Sequence, residues 1–138
     1  MKITVETRVA AKPEVVWEAW TTPADIQQWN AASDDWHTPR ASVDLREGGT
    51  FTSRMEARDG SMGFEFAGTY TTVEAPTLLE YAMEDGRTCR VEFAPEGEGT
   101  RVRETFDAEE THPIEMQRDG WQAILDRFAA HVEAGRPV

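Results

Sequence analysis

Cysteine is nearly absent from this sequence: Cys89 stands alone, so no intrachain disulfide can form. Histidine is almost as scarce. His37, His112 and His131 lie far apart and match no metal-ligand spacing, so neither a metal nor another cofactor is implied. Positive charge is short as well. Lys plus Arg number 14 against 26 Asp plus Glu, a formal net charge of −12. No basic cluster stands out against that excess, so nucleic acid and anionic membrane surfaces are both expected to be repelled. No run approaches the ~18 apolar residues of a spanning helix. The opening MKITVETRVA alternates with charges where a leader would carry an apolar stretch. Internal repeats and low-complexity tracts are also missing. A soluble cytoplasmic protein with no membrane insertion is expected.

What is present suits one packed domain spanning residues 1–138. Folding at this length buries roughly two-thirds of the unfolded surface. Hydrophobic residues make up 39%, and Trp (5) and Phe (6) far outnumber Tyr (2), which argues against intrinsic disorder.

The hydrophobic period changes in a definite order along the chain. Ile3, Val5, Thr7 and Val9 alternate with Lys2, Thr4, Glu6 and Arg8, a strand with one buried face. Pro13 suits the first turn of a helix whose apolar side is Val16, Trp17, Ala19 and Trp20. Thr22-Pro23 repeats the cap-then-proline signal before a second short helix with Ile26 and Trp29 inward. Residues 30–39 read as a loop containing Trp36 and His37. Residues 42–107 read as about six strands in antiparallel succession, joined by short turns. The first of these places Val43 and Leu45 opposite in facing to Asp44 and Arg46. The turns fall at Gly48-Gly49, Asp59-Gly60, Ala75-Pro76, Asp85-Gly86 and Gly97 to Gly99. A helix of roughly six turns then opens near Pro113, with Thr111 or His112 as its cap. Ile114, Trp121, Ile124, Leu125, Phe128 and Val132 share its apolar face, and Gly135 with Pro137 marks its end. The expected architecture is α+β: a curved antiparallel sheet of about six to seven strands wrapped around a long C-terminal helix, with two short helices after the first strand.

Five segments carry a resemblance to a known family. Val16-Trp17-Glu18-Ala19-Trp20-Thr21-Thr22-Pro23, followed by Ile26 and Trp29, is similar to its "VW-A-T-P…W" opening. Val43-Asp44-Leu45-Arg46-Glu47-Gly48-Gly49 before Phe51 resembles "V-D-L-R-x-G-G-x-F". Val73-Glu74-Ala75-Pro76 with Leu79 and Tyr81 resembles "V-x-x-P-x-x-L-x-Y". Gly99-Thr100-Arg101-Val102 and Gly120-Trp121-Gln122-Ala123-Ile124-Leu125 complete the set in order. The chain thus resembles the START-like (SRPBCC) superfamily, and within it the heat-shock-protein-90 ATPase activator homologue-like family of small bacterial proteins. The resemblance implies a helix-grip fold. The motifs are mostly structural and imply little about activity. The eukaryotic activators carry a further N-terminal chaperone-binding domain for which this chain is expected to have no room, so a co-chaperone role is not carried over. The superfamily includes hydrophobic-ligand carriers, polyketide cyclases and the catalytic domains of ring hydroxylases. The hydroxylase iron site needs histidines that this chain does not cluster.

A sheet closed by one helix tends to leave a cavity, whose lining would come from the inward strand parity. That set is Phe51, Ser53, Met55, Phe64, Phe66, Tyr81, Cys89, Val91 and Glu104, with Trp121, Leu125 and Phe128 from the helix. Trp29, Trp36 and His37 would stand at the mouth. The same side chains read equally as a filled core. Glu104 shares its strand face with Val102 and Phe106, and a carboxylate there is costly unless paired or protonated. It reads as a ligand anchor, as an acid/base group, or as a structural partner of an Arg or Tyr. His37 reads as a mouth residue or an exposed one, and Cys89 as a small buried hydrophobe. Gly120 either lets the helix approach the sheet or opens space for a ligand. The function expected first is binding of a small hydrophobic molecule, aromatic, polyketide-like or lipid-like, without established catalysis. A cyclase- or dehydratase-type enzyme using Glu104, and a stress-related protein-interaction module, stand as alternatives. A homodimer stays open.

Overall fold

The computed structural model describes residues 1–135. Seven strands and three helices follow in the order β1 (Lys2–Val9), α1 (Pro13–Thr21), α2 (Pro23–Trp29), β2 (Trp36–Val43), β3 (Thr50–Ala57), β4 (Gly63–Glu74), β5 (Leu78–Met83), β6 (Thr88–Glu96), β7 (Gly99–Asp107) and α3 (Ile114–Glu133). The strands form one antiparallel sheet ordered β1-β7-β6-β5-β4-β3-β2. Each hairpin neighbour in sequence is a neighbour in space, as short turns require. β1 closes the order by pairing with β7, Val5 opposite Glu104. The sheet curls around α3, and the two short helices fill one end. This is the α+β helix-grip arrangement.

Several boundaries differ from the sequence reading. The expected loop over residues 30–39 is shorter, because β2 begins at Trp36 and pairs Trp36 with Ala57 and His37 with Glu56. The pairing slips between His37 and Arg40, around Pro39. β2 is an edge strand, where a residue without an N–H is tolerated. Asp44, Leu45 and Arg46 lie past the end of β2, in the turn that Arg46 closes on Asp44 at 3.0 Å. Thr22 does not cap α2 through its side chain; its hydroxyl donates back to the Glu18 carbonyl at 2.6 Å. Neither Thr111 nor His112 caps α3. Pro113 takes that position, and Gln117 secures the segment before it by donating to the Glu109 and His112 carbonyls at 3.0 and 2.8 Å. Gly135 ends α3 with a φ of 78°, as expected of a helix stop, while Pro137 lies outside the described residues.

The core has two parts. Ile3, Val9, Val91, Phe93, Val102 and Phe106 line the inner face of β1, β6 and β7, each with 1% or less of its surface exposed. Trp20, Trp29 and Phe128 meet edge to face at 4.8 and 4.9 Å, locking α1 and α2 onto the C-terminal half of α3. His131 Nε2 lies 2.9 Å from Asp25 Oδ1 in the same seam, a polar tie between α3 and α2. Among the described residues, no helix is long and apolar enough to cross a membrane.

Candidate functional site

α3 does not lie over the middle of the sheet. It rests chiefly along β1. Gln122 Nε2 donates to the Glu6 carbonyl at 3.0 Å, and Trp121 stacks on Phe106 at 3.7 Å and 10°. α2 packs against β2 at the opposite edge. Between these two supports, no helix among the described residues packs closely on strands β3 to β5. The result is a cavity of about 450 Å³, enough for a small molecule.

Nine residues expected at the site line this cavity: Trp29, Phe51, Ser53, Met55, Phe64, Phe66, Tyr81, Glu104 and Trp121. Alternation on β3 explains three of them, since Phe51, Ser53 and Met55 all face inward and are buried. Phe64 stands at the open end of β4 and stays 48% exposed. Six others stand elsewhere. Val91 and Leu125 are fully buried in the packed core and do not reach the cavity wall. Phe128, expected beside them on the helix, belongs to the aromatic cluster with Trp20 and Trp29. Cys89 sits behind Glu104. Trp36 borders an adjoining groove with Met116 and Gly120, against Phe64 at 5.9 Å. His37 faces Glu56 at 3.9 Å and does not line the cavity, because its place on β2 is set by strand pairing.

The wall also contains residues that were not expected. Tyr70, Leu79 and Met83 share the inward parity of their strands, a signal present in the sequence. Trp20 and Ile26 reach it from the apolar faces of α1 and α2. Asn30, Arg87, Glu109, His112 and Gln117 come from turns and a helix start, where no periodicity marks them.

Glu104 is the central polar feature. It is 5% exposed, between Val102 and Phe106 on β7. Its one hydrogen-bond partner is Cys89, whose Sγ donates to Oε2 at 3.9 Å. Among the described residues, no Lys, Arg or His reaches it. Burial pushes the carboxyl up to about 8, against a small opposing pull from the Cys89 thiol. At neutral pH it is therefore mostly protonated. Tyr81 lies directly opposite Cys89 across β5 and β6. Burial, then the neighbouring Cys89 and Glu104, hold the Tyr81 hydroxyl well above its usual range. Burial and then Glu104 do the same to the Cys89 thiol. Tyr81, Cys89 and Glu104 thus form a neutral polar line at the floor of an apolar chamber. A thiol in that state is a poor nucleophile. Tyr70, pushed up to about 12 by burial, is neutral as well. Among the described residues, no group of three or more His, Cys, Asp and Glu side chains could hold a metal ion.

A curled antiparallel sheet gripping a terminal helix, with a chamber between them, defines a START-like (SRPBCC) protein. The chain belongs to the family described as Activator of Hsp90 ATPase homolog 1-like protein, whose model matches residues 10–133. A solution NMR structure of an AHSA1-like protein from Aeromonas hydrophila is 54% identical, covers 97% of this chain and 93% of its own, and superposes with a TM-score of 0.91. A protein from Cytophaga hutchinsonii is 50% identical over 96% of this chain and 92% of its own, with a TM-score of 0.84. A crystal structure from Nitrosomonas europaea shares the fold at 20% identity, covering 99% and 96% of the two chains with a TM-score of 0.85. No curated protein matches the chain.

Proposed function

We propose that this protein binds a small hydrophobic molecule, aromatic, polyketide-like or lipid-like, in the chamber between the sheet and α3. The observation that supports this reading is the chamber itself: about 450 Å³, walled by aromatic and aliphatic side chains, with one buried carboxyl at its floor. Few convergent polar groups in an apolar concavity is the usual make-up of a small-molecule site. A ligand burying roughly 200 Å² of apolar surface would gain about 5 kcal/mol before the costs of immobilisation. Glu104 and Tyr81 would set its orientation. The test is a thermal-shift screen of aromatic, polyketide-like and fatty-acid compounds on the wild type and on Ser53→Phe. Ser53 is 4% exposed on the chamber wall, so a phenyl ring there occupies the ligand's space. The expected result is a saturable rise in Tm for the wild type that Ser53→Phe abolishes while keeping its circular dichroism spectrum. No rise with any compound, or an equal rise in both proteins, would overturn the reading.

A second reading is an enzyme of the cyclase or dehydratase type with Glu104 as acid/base. It is favoured by the carboxyl raised to about 8, where it exchanges a proton near neutral pH. Time-dependent product from a bound ligand, lost in Glu104→Gln, would select it over simple binding.

A further inference from the structure

Every ionisable group on the chamber wall except Glu104 either has a counter-group or is held neutral. Arg87 Nε is 2.7 Å from Asp85 Oδ2. Glu109 Oε1 accepts the His112 backbone N–H at 2.7 Å and lies 3.1 Å from its ring Nδ1. Tyr70 and Tyr81 remain neutral through burial. Among the described residues, Glu104 faces the chamber with the Cys89 thiol as its one hydrogen-bond partner, the neutral Tyr81 hydroxyl nearby, and Val5 and Val91 opposite it on β1 and β6. α3 brings Gln117, Trp121 and Ile124 to the wall, none of them charged.

We infer that the chamber's ligand carries a protonated amine, which docks on Glu104 as the counter-charge that none of the described residues supplies. This rests on the small-molecule reading given above and names its chemical class. Three observations carry it. A carboxylate in an apolar site gains most from a cation placed within the same dry space, because each then offsets the other's desolvation. Much of the remaining wall is aromatic, with Trp20, Trp29, Phe51, Phe66, Tyr81 and Trp121 all lining the chamber. Ring faces attract organic cations and are indifferent or unfavourable to anions. The formal charge of −12 also favours the approach of cations over anions, fatty acids included. On binding, Glu104 releases its proton to solvent and the ammonium keeps its own, so one proton leaves per amine bound.

The test uses three probes on one skeleton, 4-phenylbutylamine, 4-phenylbutanol and 4-phenylbutyrate, by titration calorimetry at pH 7 in two buffers of different ionisation enthalpy. The amine is expected to bind about tenfold more tightly than the alcohol, with the carboxylate weakest. Proton release is expected for the amine alone. Glu104→Gln should remove the amine's advantage over the alcohol. The wild type supplies a readout that needs no variant. The Glu104 side-chain ¹³C carboxyl signal should move to its ionised position with the amine and stay put with the alcohol. Alcohol binding as tight as amine binding would overturn the inference while leaving the chamber as a hydrophobic site. A Glu104 signal unmoved by bound amine would also overturn it. Absence of binding by all three to folded protein would overturn both.

Discussion

Replacing Glu104 with Gln should change how stability depends on pH more than it changes stability itself. The side chain is 5% exposed and has no cation partner among the described residues. Its carboxyl sits at about 8 in the folded protein, against ~4.3 in an unfolded chain. The fold therefore prefers the protonated form. The contribution is fully present below pH ~4.3, falls as pH rises toward 8, and is flat above. Over that whole window the loss is about 5 kcal/mol, and between pH 5 and pH 8.5 about 4 kcal/mol. Gln has nearly the shape of the protonated acid and no charge to lose. The two proteins should thus have similar stability at pH 5, within about 1 kcal/mol. At pH 8.5 Glu104→Gln should be the more stable by about 4 kcal/mol. Urea unfolding of both at the two pH values reads this directly, because all other titrations are common and cancel in the difference. A wild-type-to-variant difference that is the same at both pH values would refute the burial of an uncompensated carboxyl.

Two glycines should respond oppositely to alanine. At Gly68 a Cβ would sit 2.7 Å from Phe51 Cε2 and 3.0 Å from the Ala82 carbonyl oxygen, so Gly68→Ala should lose about 1–3 kcal/mol in urea unfolding. Gly120 has nothing within 4 Å of that position and lies inside α3, so Gly120→Ala should gain about 0.5–1 kcal/mol. Asp107 is held at about 2 by the Lys2 ammonium and then by the Thr88 backbone N–H; Lys2→Met should raise its NMR-monitored titration toward ~4 without reaching it. His131→Ala removes the tie to Asp25 at 2.9 Å and should cost about 1–3 kcal/mol, with faster amide exchange in α2.

Strand alternation made most of this fold legible. Phe51, Ser53 and Met55, and again Glu104 between Val102 and Phe106, could be assigned a face because period-two patterning has only two solutions. The order of the period changes carried the order of elements, and the family resemblance implied the same helix-grip fold. What escaped were features that periodicity does not encode. Pro39 hid the start of β2, since a proline in a strand argues for a loop unless the strand is at an edge. The cap of α3 was misplaced because Gln117 braces the preceding segment from inside the helix. Inward parity could not separate core from chamber wall either. Val91 and Glu104 pair across β6 and β7 and both face inward, yet only Glu104 lines the chamber. The difference lies in how the helices cover the sheet, α1 packing against β6 and α3 along β1, and no local pattern states that. Gly120 illustrates the same point: its lack of a side chain opens a groove and does not serve close packing.

The most direct test of ligand binding in the chamber uses the methionine methyl groups. Met55 and Met83 line the chamber, while Met1 and Met62 are 83% and 65% exposed on the outside. With ¹³C-methyl methionine labelling, a saturating ligand from the thermal-shift screen should move the Met55 and Met83 signals, with the same dissociation constant, and leave Met1 and Met62 in place. Saturable binding that moves Met62 and leaves Met55 and Met83 unmoved would contradict the account and put the ligand on the outer surface.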